Sequence, residues 1–248
     1  MLKKERQAYI LHNVNLHNRI LVPDLSEEIG VSEDTIRRDL LELSDEGKLI
    51  KVHGGALSKS FHNSFNSSAV YAMENKKIIA QKAVTLIKDG MFVLTSGGTT
   101  IIEMAKALSQ DLHATFITGS VPAAFEYMQH PHIEIILIGD KLSKGSQITV
   151  GGEAIAKIKQ IRADICFLGI NALHVNHGLT DNDWEVVQVK KAMMESSEKT
   201  VLLTISEKIN TTQRIRICDT KNIDIIVTEL NEEDELLNPF KNIGLTVL

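Results

Sequence analysis

Long apolar runs are missing from this 248-residue sequence: no stretch approaches the roughly 20 residues that a membrane-spanning helix needs. The opening Met1-Leu-Lys-Lys-Glu-Arg6 has no apolar core of the kind a secretion signal carries. Cysteine is scarce. Cys166 and Cys218 sit in apolar, strand-like runs, the pattern of structural thiols in a reducing compartment and not of a disulfide framework. A cytoplasmic protein with no membrane partner is therefore expected. Positive charge is also in deficit, with 27 Lys and Arg against 32 Asp and Glu. Residues 1–60 alone hold nine cations against ten acids, so bulk electrostatics does not advertise a nucleic-acid binder. Any such partner has to be met by the placement of a few cations. The close histidine pairs, His130-Pro-His132 and His174 with His177, have no cysteine or acidic pattern completing a four-ligand set. They read as loop histidines, and neither a metal nor a cofactor is expected. There is no internal repeat. What remains is a globular composition, 43% apolar and 24% charged, long enough for one large domain or two smaller ones.

The most structured stretch runs from Val31 to Gly47. Ser32 can cap a helix, Glu33 and Asp34 suit the positive end of its dipole, and Ile36, Leu40 and Leu43 recur at core spacing. Gly47 ends it with a left-handed turn. Arg38 projects opposite the apolar stripe, and Thr35 and Arg37 project to its flanks. Guanidinium forks suit phosphates and guanine edges. Upstream, Pro23 opens a shorter helix with Leu25 and Ile29 inward, and Gly30 supplies the turn. The order is that of a helix-turn-helix, although any two short amphipathic helices joined by glycine share it. Downstream, Lys48-Leu-Ile-Lys-Val-His-Gly-Gly-Ala56 reads as a strand and glycine turn. That is the pattern of a wing, where backbone amides of Gly54 and Gly55 and either Lys51 or His53 meet the DNA backbone. A helix over 3–14, with Ile10, Leu11 and Val14 inward, precedes this unit. A Ser- and Asn-rich tract over 58–68 follows it.

From Lys76 onward helices alternate with short apolar strands, the pattern of a mainly parallel sheet covered on both faces. Strands are expected near 91–95, 114–118, 133–138, 164–168, 200–205 and 223–228, with helices over 76–88, from about 100 to 109, from Pro122, from Gly151-Gly152, and over 185–197. Two neighbouring strands end in small hydroxylic residues and glycine: Ser96-Gly97-Gly98-Thr99-Thr100 and Thr118-Gly119-Ser120. Each feeds a helix start, where free amides and the dipole favour an anion. Glycine and threonine also simply make tight turns, so either loop alone is ambiguous; the pair points to an anionic ligand. Lys190 and Lys208 are the candidate countercharges. Trp184 reads as a packing or rim residue, or as a platform for a sugar ring.

These residues resemble the DeoR family of bacterial transcriptional regulators, over nearly the whole chain. The marks are Val31-Ser32 with Thr35-Ile-Arg-Arg-Asp-Leu40, Gly47, His53-Gly-Gly-Ala56, Gly98-Thr-Thr100, Gly151, Gly178-Leu-Thr180, and Val189-Lys190 before Ala192-Met193. The resemblance implies a winged helix-turn-helix joined to a sensor domain similar to ribose 5-phosphate isomerase. It also implies repression of carbohydrate uptake or catabolic genes under control of a phosphorylated sugar, and adds Gly151 to the effector residues. Departures from the family pattern are Ser96 where Asp is usual, Gly119 in a Thr-Asn-Ser loop, Gly139-Asp140 for Gly-Gly, and Ser206-Glu-Lys208 with only the lysine kept. Asp140 adds a carboxylate near the expected pocket, which disfavours a second anion there.

The expected layout is a DNA-binding domain over 1–57, a linker over 58–75 and an effector-sensing domain over 76–248. Winged helices usually bind two-fold sites, so a homo-oligomer, dimer or tetramer, is expected on double-stranded operator DNA. The alternative, a sugar-phosphate isomerase, needs a general base and a polarising acid or lysine near the carbonyl carbon, which the isomerases that this domain resembles place in an Asp-Gly-Ala-Asp-Glu loop after a strand. The matching place, Leu168-Gly-Ile-Asn-Ala-Leu173, has no carboxylate, so no catalytic residue is assigned and an enzyme is not expected.

Overall fold

Capping and apolar spacing produce helices close to where they are expected. In a computed structural model describing residues 1–59 and 70–248, the chain divides into two units, Met1–Tyr71 and Ala72–Leu248. The part of the predicted linker over 60–69 lies outside the described residues.

The first unit comprises α1 (Lys3–His17), β1 (Arg19–Leu21), α2 (Val22–Ile29), α3 (Glu33–Asp45), β2 (Leu49–Val52) and β3 (Gly55–Ser58). Gly30 takes φ +72° between α2 and α3. Ser32 Oγ accepts from the Thr35 amide at 3.3 Å to start α3. At the other end the Lys48 amide donates to the Leu43 carbonyl at 2.9 Å, with Gly47 at φ +70°: the closure that lets the chain leave the helix at once. Ile36, Leu40 and Leu43 bury fully against Ile10, Val14, Leu25 and Leu49. The strands form an antiparallel sheet in the order β1–β3–β2. Strand β1 was not expected: three residues are too few to show a period. Strand β3 runs one residue past the predicted domain end, and Ser58 is buried with its hydroxyl donating to Asn15 Oδ1 at 2.9 Å.

The second unit begins with α4 (Met73–Val84) and contains seven parallel strands in the order β15 (Thr246–Val247), β14 (Ile225–Val227), β12 (Thr200–Leu203), β9 (Ile165–Gly169), β4 (Phe92–Thr95), β5 (Ala114–Thr118), β6 (Ile133–Leu137). Crossovers include α5 (Thr99–Lys106), α6 (Val121–Tyr127), α7 (Gly152–Ile158) and α8 (Trp184–Glu195), and a short α9 (Asn238–Lys241) precedes β15. The mainly parallel α/β expectation holds. Two antiparallel additions were unforeseen: the hairpin of β7 (Lys141–Ser143) and β8 (Ile148–Val150), and a sheet of β10 (Ala172–His174), β11 (Gly178–Asp181) and β13 (Ile215–Cys218). The chain builds outward from β4 to β6, then returns to build from β9 in the other direction. Such a reversal opens a crevice at the carboxyl ends of the two strands that flank it, here β4 and β9. Among the described residues no helix is long and apolar enough to cross a membrane.

Candidate functional site

The first unit presents α3 and the β2–β3 turn. Arg38 is exposed and forms no ion pair among the described residues, so its guanidinium is available to a partner. Arg37 is different. Its two arms are taken by Glu33 and by Asp34 at 2.8 Å, acids of the same helix, so the free fork expected there is corrected to a neutralised one. Its pairs are exposed, however, and can be exchanged for phosphate. Ser32 and Thr35 hydroxyls bond to each other at 2.9 Å. Of their two hydroxyl hydrogens one is used in that bond, which leaves one to donate outward. Lys51, His53 and Gly54 are exposed on the wing, with Gly54 at φ +75°. Gly55 is not at the tip. It is buried in the pairing with Leu21 and Val52, and a Cβ there would lie 2.0 Å from the Ile20 carbonyl oxygen. Its role is to let β1 approach, in place of the predicted DNA contact. Behind α3, Asp39 is buried and held by Arg6, while Lys3 and Gln7 hold Glu42, so α1 fixes the reading helix from its inner side.

In the second unit the two glycine-hydroxyl loops do lie together: a Cβ on Gly97 would come 3.4 Å from Ser120 Oγ. They are not equivalent. Strand β8 crosses the second loop. The Thr149 amide donates to the Gly119 carbonyl at 2.8 Å, and a Cβ on Gly119 would meet Thr149 Oγ1 at 2.5 Å. Thr118 Oγ1 donates to the Thr95 carbonyl at 2.9 Å, and Ser120 Oγ caps the Ala123 amide. The predicted second anion cradle is therefore a closed structural turn. Ser96 is likewise spent, its hydroxyl accepting from the Gly169 amide at 2.9 Å. Gly151 starts α7 at φ +115°, but the Asp140 carboxylate already accepts from the Ala154 amide at 3.0 Å and would lie 2.5 Å from a Cβ at Gly151. In α8 the start is capped by Asp183, which accepts from the Glu185 and Val186 amides.

That leaves α5. It begins at Gly98 with no side-chain cap, so the amides around Thr99 and Thr100 keep their donors, and it begins at the β4–β9 crevice. Cations gather beside it. The Gly169 backbone lies close enough to Gly97 that a Cβ would be 2.8 Å from the Gly97 carbonyl oxygen; the next residue, Ile170, accepts from Lys208 Nζ at 2.6 Å. Burial, with the charges of Lys76 and Lys190 adding to it, pushes Lys208 down to about 7 against the opposing pull of Asp181 and Glu207. Lys76, buried on α4, is pushed down by burial to about 8, opposed by Glu103 and Glu207. Lys190 pairs with Asp181 at 2.8 Å, both buried. Burial alone would raise the Asp181 carboxyl, but the Lys190 charge and bonds from Lys190, Asn171 and the Asn182 amide hold it below its usual range. Lys208 is held by the Ile170 backbone carbonyl, whereas Lys190 is held by the Asp181 carboxylate.

Sequence reasoning named Thr99, Lys190 and Lys208 but not Lys76, Asn171 and Asp181, which the structure places with the two lysines. Lys76 had a signal: it occupies the inward stripe with Ile79, Ala80 and Ala83, where an apolar residue belongs. A proton-transfer role for Asp181 finds no support, because its oxygens are occupied by Lys190 and Asn171, and the loop after β9 carries no carboxylate. The histidine pairs gather no ligands: no group of three or more His, Cys, Asp or Glu suited to a metal occurs among the described residues. His130 is buried, bonded to the Ala105 carbonyl at 2.9 Å, and is a packing residue and not the loop histidine expected. Cys166 and Cys218 are free thiols. Trp184 is exposed at the start of α8.

Comparison with known proteins adds the following. Residues 6–61 match the family model for a DeoR-like helix-turn-helix domain, and residues 71–230 match that for a DeoR C-terminal sensor domain. The chain is 32% identical to the HTH-type transcriptional regulator GolR of Listeria innocua, covering 100% of this chain and 98% of that protein. It is 28% identical to the lactose phosphotransferase system repressor of Staphylococcus epidermidis, covering 94% of each. Among solved structures, ribose 5-phosphate isomerase A of Methanocaldococcus jannaschii overlaps 54% of this chain and 53% of its own, at 20% identity and a TM-score of 0.40.

Proposed function

The chain belongs to the DeoR family of transcriptional regulators, and on that basis we propose that it represses genes of carbohydrate uptake or catabolism under control of a phosphorylated sugar. DNA binding rests on the helix-turn-helix domain. Arg38 enters the major groove, with Arg37, Ser32 and Thr35 beside it and Lys51, His53 and Gly54 on the flanking backbone. Two copies read a two-fold operator in the cytoplasm.

The observation that carries the sensor reading is the uncapped start of α5 beside buried lysines at the β4–β9 crevice. A phosphate accepts from the amides of Gly98, Thr99 and Thr100 and from the two threonine hydroxyls and adds negative charge beside Lys208, while Lys76 and Lys190 add to the field. The name of the staphylococcal relative, lactose phosphotransferase system repressor, agrees with a sugar as the remainder of the ligand. The effector releases DNA only if it binds the DNA-incompetent arrangement more tightly, with a coupling of about 1–3 kcal/mol. Thermal unfolding of the full chain against pentose and hexose phosphates, the parent sugars and inorganic phosphate tests this. A phosphorylated sugar raises the transition temperature and the parent sugar does not. Thr99→Ala and Lys208→Gln remove that rise and leave operator binding intact. If every phosphorylated sugar leaves the transition unchanged, the reading is wrong.

A further inference from the structure

The two edges of the seven-stranded sheet are finished differently. At one edge β15 is two residues long, with Val247 buried and α9 packed against it. At the other, β6 is five residues long and keeps unbroken register with β5, without bulge, proline or lysine. Those are the devices by which proteins blunt an exposed edge. The Ile138 amide donates to the Thr118 carbonyl at 2.8 Å, so the even-numbered residues of β6 bond to β5. The backbone groups of Ile133, Ile135 and Leu137 therefore point outward, and no strand among the described residues pairs with them. The side chains at this edge are apolar as well: Ile136 and Leu137 are 40% and 52% exposed. Phe116 stands beside Ile135 in the register and its ring lies 4.5 Å from that of Tyr127, so Leu137 shares the α6 side of the sheet. Helix α6 turns Ala123, Ala124 and Tyr127 inward. Outward, at i, i+4 and i+7, it shows Val121, Phe125 and, just past its end, Met128, at 43–61% exposure. The outer stripe of a surface helix is ordinarily polar.

We infer that two copies of the chain join at this face, β6 pairing antiparallel with β6 of the second copy about a two-fold axis at Ile135. That axis sets Ile135 opposite itself and Ile133 opposite Leu137, pairs whose outward amides and carbonyls can bond to each other. Glu134, the one charge on the strand, then meets Ile136 and not its own copy. The two α6 helices lie side by side on one face of the joined sheet, stripe against stripe. The occupant follows from the edges. Short, covered β15 offers no second edge to add to, so the contact is isologous and closes at two copies. The area agrees: the five exposed apolar residues leave roughly 500 Å² open, within the range of the largest patch on a monomer. With the strand's bare backbone and a rim of Gln129 and Glu134, the face approaches the roughly 800 Å² per partner of a standard interface. The inference deepens the proposed two-fold reading of the operator, but it stands on the surface of the sensor unit alone.

Sedimentation equilibrium of the full chain without DNA tests it, with circular dichroism to check that each variant is folded. The wild type has twice the 27.5 kDa mass of one chain. Leu137→Lys and Met128→Lys, both at exposed side chains, each raise the dimer dissociation constant about thirtyfold or more, the loss of one hot spot. Ile135→Pro does the same through the backbone, since the amide it removes points away from β5; the two lysine variants decide if it does not fold. Ile243→Lys, at an apolar residue of similar exposure elsewhere on this unit, leaves the mass unchanged. A monomeric wild type overturns the inference, as does an assembly that persists in both Leu137→Lys and Met128→Lys. Operator titration keeps the two readings apart. A monomeric Leu137→Lys that binds the operator as tightly as the wild type upholds this interface and overturns the two-fold reading of DNA.

Discussion

On the outer side of the reading helix the ion pairs lie in water, Arg37 with Glu33 and Asp34 and Lys3 with Glu42, at side-chain exposures of 43–76%, while the Arg6–Asp39 pair behind it keeps 12% and 2%. In the sensor unit the Lys190–Asp181 pair keeps 6% and 2%. The unit that has to meet a polyanion thus carries no cationic excess and pairs Lys3, Arg6, Arg37 and Lys48 with its own acids, while the unit that has to meet a small anion buries Lys76 and Lys190. The difference follows from what each ligand supplies. DNA brings many phosphates and releases counterions, so a few exposed cations suffice and a large basic surface would bind every sequence alike. A sugar phosphate brings one strong charge, and only a desolvated site makes that charge count against water.

The comparison breaks first at Lys190. Removing one partner of a buried pair leaves the other uncompensated, so Lys190→Met should destabilise the sensor unit by about 3–5 kcal/mol. Arg37→Ala, which breaks exposed pairs, should cost the first unit no more than about 1 kcal/mol. Chemical denaturation of the full chain followed by circular dichroism and by Trp184 emission separates the two units, since the single tryptophan belongs to the sensor. Equal costs for both substitutions would show that burial is not what distinguishes these pairs.

The next effect concerns the reading helix alone. Among the described residues Arg38 has no ion-pair partner to exchange and Arg37 has two. Arg38→Ala should therefore weaken operator binding by about 1–3 kcal/mol and relax the preference at one base pair. Arg37→Ala should weaken it less and lower the salt slope by about one, as a phosphate contact does. Titrations of operator and scrambled DNA at several salt concentrations measure both. If Arg37→Ala is the more damaging, its exposed pairs are broken in the complex and the roles of the two arginines are reversed.

How much of this was legible in the sequence differs between the units for a physical reason. The winged helix is local. Ser32, Gly30, Gly47 and the Ile36–Leu40–Leu43 stripe act within a few residues of themselves, and helix bounds came out nearly right. The sensor site is not local. Loops 96–100 and 118–120 look alike on paper, and they differ because β4 borders the sheet's reversal point whereas β5 lies beneath β8. Strand order and a three-residue hairpin strand leave no periodic trace. Lys208 was named from resemblance and charge, but its place beside Lys76 depends on an approach between residues more than a hundred positions apart. Gly55 was misjudged for the same reason: its need for glycine comes from Ile20, across a strand too short to foresee.

The smallest effect is a proton. In the folded protein Lys208 titrates near 7 and Lys76 near 8, against 10.5 for each in the open chain. Both are depressed lysines, so between about pH 7 and 10.5 the unfolded chain binds more protons than the folded one, and the stability of the ligand-free sensor should rise with pH across that window. A bound phosphate reverses the preference. Beside a dianion, whose second proton has left by about pH 6, the ammonium of Lys208 is favoured and its pKa climbs. Binding above pH 7 must therefore draw a proton from solution. Lys76, Glu103, Asp181, Lys190 and Glu207 act on the same site, but Asp181 is already ionised and bound to Lys190, which leaves the two depressed lysines to respond. Affinity for the monophosphate should fall roughly tenfold, about 1.4 kcal/mol, between pH 7 and pH 8.5. Calorimetry at pH 8 in two buffers of different ionisation heat should register the proton taken up. In Lys208→Gln the binding should be weaker and the pH profile flatter, with only the Lys76 contribution left. An affinity that holds steady or rises across this range would mean that the phosphate does not sit beside Lys208, and would move the negative end of the ligand away from α5.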